Sequence, residues 1–297
     1  MKDKIFDYED VFMGVRGEKP KTYFRSFKED YRLRSLVETI ELNRGKLLDI
    51  GCGGGMLTES LPYYFPKANI FGCDISRTAI EYAAKFGSGK VRYDQIQNNR
   101  FPYKDNIFDA CICFDVLEHV PDVSLFLKEA RRVLKKGGKF FLIVPCEGQQ
   151  FTYTWFFQRI HLGENLTFRY LGHIHPEFTH KEVISLLQKH GFSIQKKTYS
   201  EHIFYQLLQF LVLFLPKILL EIFLGKNKAN EYTNASLVKT PKNKNDYLLG
   251  ARNLWYKIWD FMMFYPMNWE TLLFKKVPLT AWKLHVLSQK GPYGKEV

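Results

Sequence analysis

Short apolar runs and longer amphipathic stretches alternate along the middle of the chain, and most of them end on glycine, proline or a charged pair. Leu47, Leu48 and Ile50 make one such run, followed directly by Gly51, and the segments ending at Asp74, Asp94, Phe114 and Val144 repeat the pattern. Runs this short and this continuously apolar suit strands buried on both faces of a sheet. Between them, Ser124 to Leu134 has helical periodicity and is followed by Lys135-Lys136-Gly137-Gly138, where a glycine at the left-handed C-cap would end the helix. Thr179 with Glu182 three residues on forms a capping box, and Val183, Ile184, Leu186 and Leu187 fall on one face of the helix it opens. Gly191 stops that helix, Phe192 to Tyr199 reads as a sixth strand, and Trp282 to Lys290 alternates as a seventh. Strands alternating with helices predict an α/β fold with a parallel, doubly wound sheet that binds its ligand at the strand carboxyl ends.

The chemistry concentrates where the first strand meets Gly51-Cys52-Gly53-Gly54-Gly55. Glycines let the backbone turn sharply and approach a ligand closely, and a helix beginning near Met56 would aim free amides at an anionic group. Asp49 beside that loop would repel a pyrophosphate but suits a cofactor bearing an ammonium and a sulfonium. The residues Asp49 to Gly55 resemble the D-x-G-x-G-x-G signature of the class I S-adenosylmethionine-dependent methyltransferases. Arg100 to Asp109, followed by Ala110 to Asp122 with its Leu117-Glu118-His119-Val120-Pro121, matches that family's pattern almost residue for residue. A dinucleotide dehydrogenase would need a glycine where Met56 stands.

The resemblance implies a Rossmann-like, seven-stranded, mainly parallel sheet whose last strand, Trp282 to Lys290, is antiparallel. It implies S-adenosyl-L-methionine as cofactor, with Asp49 and the backbone of Gly51, Gly53 and Gly55 at the methionine end. Asp74, with Ile75 beside it, would hold the ribose hydroxyls, Asp94 would lie by the adenine, and Phe114 would border the methyl-transfer cleft. Gly172 to His180 resembles a histidine-bearing segment common in O-methyltransferases of the quinone-biosynthesis kind. His173 is the first candidate base, His175 the second, and His119, at the end of the fourth strand, the third. A metal site from His173, His175 and His180 lacks an acidic partner, and no metal is expected.

Residues 1–45 read as an N-terminal helical cover, 46–200 as the cofactor-binding core, 201–279 as a helical insertion between the last two strands, and 280–297 as the final strand and tail. The insertion holds two apolar blocks around a lysine-rich loop that includes Lys226, Lys228, Lys239, Lys242 and Lys244. In Ile203 to Leu224 the polar residues Gln206, Gln209, Lys217 and Glu221 gather in one stripe, which suits an interfacial helix better than a membrane span. Asn253 to Phe274 adds Trp255, Tyr256, Trp259 and Trp269, side chains with an apolar body and a polar tip.

Composition narrows the partners. With 43 Lys and Arg against 31 Asp and Glu, the formal charge is +12, which favours an anionic surface. The lysines of the loop are not interleaved with stacking aromatics, so nucleic acid is disfavoured. Five cysteines, an odd number, read as reduced core thiols, and the charged start carries no secretory signal. The expectation is a methyltransferase at the cytoplasmic membrane face, peripheral to it, that methylates oxygen on an amphiphilic or lipid-linked substrate. Its alternatives are a soluble acceptor, with the insertion as lid or homodimer element, and a non-catalytic cofactor-binding interaction protein.

Overall fold

The computed structural model describes residues 31–159, 171–211, 215–225 and 269–291 of the 297-residue chain. β1 (Gly45–Ile50), β2 (Ala68–Asp74), β3 (Val91–Gln95), β4 (Phe108–Phe114), β5 (Leu134–Pro145), β6 (Phe192–Ser200) and β7 (Lys283–Lys290) form one sheet in the order β3-β2-β1-β4-β5-β7-β6. The first five pair in parallel, and β7 runs antiparallel between β5 and β6. Strand order reverses beside β1, so a crevice opens at the carboxyl ends of β1 and β4.

Each face of the sheet is covered because its central strands are apolar on both sides. Leu48, Ile50, Cys111, Cys113, Phe140 and Leu142 pack on one face with Phe126, Leu127 and Ala130 and with Val183 and Leu187. The former trio belongs to α4 (Val123–Val133), the latter pair to α6 (His180–Lys189). On the other face, Leu47, Ile112, Phe141 and Ile143 meet Leu33 and Leu36 of α1 (Tyr31–Val37). The capping box at Thr179 and Glu182 is formed in full. All five cysteines are free thiols, four buried and Cys52 half-buried, and burial pushes them up, away from thiolate reactivity.

Two local expectations need correction. No helix starts at Met56: the glycine loop passes into a 3-10 turn at Thr58–Ser60 and a four-residue α2 (Leu61–Tyr64). Pro62 sits in the first turn of α2, where it is tolerated, and Pro66 disfavours a helical Phe65, so the segment stays short. The glycine pair Gly137-Gly138 does not cap α4 either. Leu134 is already extended and pairs with Phe108, whereas the next pair is Ala110 with Lys139. Gly137, at φ +74°, therefore turns an irregularity within β5.

Of the N-terminal cover, α1 is described, and Tyr8, Phe12, Tyr23, Phe24 and Phe27 lie outside the described residues. α3 (Arg77–Phe86) joins β2 to β3, and α5 (Tyr153–Arg159) follows β5. Between β6 and β7 the described chain is helical: α7 (Ile203–Gln209), α8 (Leu215–Leu224) and a turn of helix at 269–274. The lysine-rich loop and most of the second aromatic block lie outside the described residues.

Candidate active site

A cavity of about 290 Å³ opens at the carboxyl ends of β1, β2 and β4. Its rim is built by glycines that no other residue could replace without moving a neighbour. Gly51 sits at φ +77°, and a Cβ there would lie 2.3 Å from Val116 Cγ2. Gly55, an expected cofactor contact that falls outside the cavity lining, sits at φ +80°, where a Cβ would lie 2.4 Å from Tyr93 Oη. Gly51 and Cys52 both donate to the Cys73 carbonyl, at 2.8 and 3.1 Å, which folds the loop back over β2. Asp74 then ties two loops together: Oδ2 accepts from Gly53 N at 2.8 Å and Oδ1 from Ser76 N at 2.9 Å. Gly51, Gly53, Asp74 and the exposed Ile75 all line the cavity.

Asp49 lies beneath the glycine loop, outside the cavity lining, where its Oδ2 accepts from the Thr58 hydroxyl at 2.7 Å. Burial pushes its carboxyl up to about 7, with the Thr58 bond opposing and the Asp74 charge adding. Because the folded value is raised, the folded protein holds a proton on Asp49 that the unfolded chain has already lost above pH 4, so this group costs stability as pH rises through 7. Asp49→Asn is expected to gain about 1 kcal/mol on the wild type between pH 6.5 and 8, a relative rise in Tm of roughly 3 °C. Thermal melts of both proteins at the two pH values measure it, and a constant difference would reject the raised value.

Two expected positions fall elsewhere. Asp94 faces Arg92, which donates to it at 2.9 and 3.2 Å, and borders a separate shallow cleft with Gln97 and Arg100. The cavity wall on that side is made by Ile96, Asn99 and Phe101. Phe114 is buried under the sheet against Phe141, and the wall at the end of β4 is supplied by the next two residues, Asp115 and Val116.

Asp115 has φ +54° and is held by two cations, Lys283 Nζ at 2.8 Å and Arg32 Nη1 at 3.2 Å. Burial works to raise its carboxyl, but the two cations outweigh that and leave it ionised, at about 2. Lys283 also meets Glu201 Oε1 at 3.1 Å, and Tyr31 Oη donates to the same oxygen at 2.8 Å. The last strand and α1 therefore brace the cavity floor.

His119 lines the cavity. Its Nδ1–H donates to the Gly172 carbonyl at 3.0 Å, which leaves the lone pair on Nε2, 3.8 Å from Glu118 Oε1. Burial lowers its pKa, so it is a neutral imidazole at pH 7. His173 packs behind it, ring centroids 5.0 Å apart, with Nδ1 at 2.5 Å from Glu147 Oε1. His175 is elsewhere, its ring stacked on Phe178 and its nitrogens bonded to the Val120 carbonyl and to Glu177. Glu118 and Glu147, both buried, were not legible as site residues. Burial pushes the Glu118 carboxyl up to about 8, against the pull of His173.

Residues 48–142 match a family model described as a methyltransferase domain. The chain carries a class I S-adenosylmethionine-dependent methyltransferase domain. Over 117 residues the chain is 37% identical to the ubiquinone biosynthesis O-methyltransferase of Pelagibacter ubique, covering 38% of this chain and 47% of that protein. The chain spans about half the length of the curated relatives it matches. Among solved structures, the YcgJ protein of Bacillus subtilis superposes with a TM-score of 0.51 at 17% identity, covering 89% of this chain and all of that one. Geranyl diphosphate C-methyltransferase of Streptomyces coelicolor superposes with a TM-score of 0.50 at 11% identity, covering 90% of this chain and 79% of that one. Both carry the same fold. The cofactor of the methyltransferase domain, S-adenosylmethionine, fits the donor set here: side-chain-free glycines at a cradle, a carboxylate at its edge and an apolar wall beyond.

Proposed function

We propose that this methyltransferase transfers the methyl group of S-adenosylmethionine to an oxygen of an amphiphilic, lipid-linked acceptor while resting against an anionic bilayer on the cytoplasmic side. Gly51 and Gly53 take the methionine end of the cofactor, Asp74 the ribose hydroxyls, with Ile75 beside it, and Ile96, Asn99 and Phe101 the adenine. The reaction is an in-line displacement on an already activated carbon, so alignment in the cavity does most of the work. An acceptor hydroxyl must also lose its proton, and the neutral imidazole of His119 is placed on the wall to receive it. The relative named for O-methylation in ubiquinone biosynthesis supports oxygen as the acceptor atom.

The observation that carries the membrane reading is the orientation of α7. Its polar face points inward: Gln206 donates to the Glu201 and Thr280 carbonyls at 2.7 and 2.8 Å and accepts from Tyr153 N at 2.9 Å. Gln209 accepts from Tyr153 Oη, and Glu270 accepts from the Phe204 and Tyr205 amides. The apolar face is left outside, with Phe204 58%, Leu207 53% and Phe223 of α8 79% exposed, and Trp269 and Leu273 beside them on the neighbouring helical turn. Large apolar side chains exposed together on a helix face in this way mark an interaction surface. No helix among the described residues is long and apolar enough to cross a membrane, which suits a helix lying in the interface.

Incubation with methyl-labelled S-adenosylmethionine and a membrane extract should put label in the organic phase. Phe204→Glu with Leu207→Glu should cut cosedimentation with anionic liposomes at least about tenfold, since each side chain loses roughly 1.5–3 kcal/mol of burial. Unchanged cosedimentation would reject bilayer contact. Label confined to the aqueous phase would point to a soluble acceptor, and a dimer that the double variant splits would assign the patch to a second copy.

A further inference from the structure

We propose that Asn99 is the residue that selects adenine in the cofactor, its carboxamide pairing with the 6-amino group and an adjacent ring nitrogen of the base. The inference rests on the S-adenosylmethionine reading of the cavity and adds which side chain decides the base.

A tight turn, Gln97-Asn98-Asn99-Arg100, carries Asn99 into the cavity wall. Arg100 N donates to the Gln97 carbonyl at 2.9 Å, the two residues pair as an antiparallel bridge, and Asn98 and Asn99 stand at φ +51° and +55°. Two successive left-handed residues between paired ends make a type I′ turn, where glycine fits with least strain and asparagine is tolerated. What asparagine adds at the second position is a carboxamide, set between Ile96 and Phe101 in a wall that is otherwise apolar on that side.

The other polar side chains of the cavity lining already have partners. Asp74 holds the Gly53 and Ser76 amides, Asp115 its two cations, and His119 the Gly172 carbonyl. Ser76 Oγ accepts from Ala79 N at 3.1 Å and Asp122 Oδ1 from Leu125 N at 2.8 Å, each as a helix N-cap. The Asn99 carboxamide makes no hydrogen bond among the described residues. With Asp94 turned to Arg92, the acid expected beside the adenine is not there to read it. Ile75 and Leu125, 50% and 37% exposed in the same lining, offer apolar faces that hold any purine alike. An amide instead presents one acceptor beside one donor, and adenine presents the complement at its 6-amino group and the neighbouring ring nitrogen.

The test is calorimetric binding with no acceptor present, using S-adenosylhomocysteine and the analogue whose base is purine, without the 6-amino group. The wild type is expected to bind the purine analogue about tenfold more weakly. Asn99→Gly suits the left-handed turn, so it removes the carboxamide and keeps the backbone. That variant should bind S-adenosylhomocysteine about tenfold more weakly than the wild type does and no longer tell the two ligands apart. Asp94→Asn should discriminate as the wild type does. A wild type that binds both ligands equally, an Asn99→Gly protein that still prefers adenine, or an Asp94→Asn protein that loses the preference would overturn the assignment of Asn99 and leave the cofactor reading in place. Failure of the wild type to bind S-adenosylhomocysteine at all would overturn both.

Discussion

Asp74→Asn is expected to weaken S-adenosylmethionine binding by a hundredfold or more while leaving the protein folded. In the free protein the carboxylate holds Gly53 N and Ser76 N, so it fixes the shape of both loops at the cavity rim. Each hydrogen bond to a charged acceptor is worth about 1.5–3 kcal/mol, and the ribose of the cofactor would add two more to the same group. An amide can replace one oxygen acceptor, but its NH₂ then faces a backbone N–H and repels it. Calorimetric titration with S-adenosylmethionine measures the loss. An affinity within about threefold of the wild type would show that Asp74 shapes the loops without reading the ribose.

The largest loss of stability is expected from Lys283→Met. Lys283 is buried between Asp115 and Glu201, and although burial opposes its charge, the two carboxylates hold it above the ordinary lysine range. Removing the cation strands the buried Glu201 and leaves Asp115 to Arg32 alone, which costs about 3–5 kcal/mol, or about 10 °C or more in Tm. Adding Glu201→Gln should recover part of that loss, because one stranded charge goes with it. Urea unfolding of the single and double variants gives the coupling directly. Equal stabilities of wild type and Lys283→Met would mean that the carboxylates are protonated when unpaired and that the network is dispensable.

Legibility in the sequence followed how local each determinant is. Strands such as Leu47 to Ile50 were readable because a central parallel strand is apolar on both faces, and the loop after it because glycine alone fits its backbone. Asp94 misled: Arg92 lies two residues earlier on the same face of β3, the strand period that lets the pair close on itself, and that spacing was visible. Phe114 was one residue out of phase with the wall that Asp115 and Val116 form. Glu118 stands next to His119 in the chain, but only the fold brings it, and Glu147, to His173. In α7 the segregation of Gln206 and Gln209 from the leucines and phenylalanines was plain in the sequence, but nothing local says which side meets the protein.

The position of β7 sets an order on biosynthesis. It is the last strand of the sheet along the chain, yet it lies between β5 and β6. On the ribosome β6 has no neighbour to pair with until residues 283–290 emerge, and during that interval its edge and the outward apolar side of α7 stand open together. The nascent chain is therefore most exposed to aggregation late, with most of its core already in place, and a chaperone or a nearby bilayer that shields α7 would act at that stage.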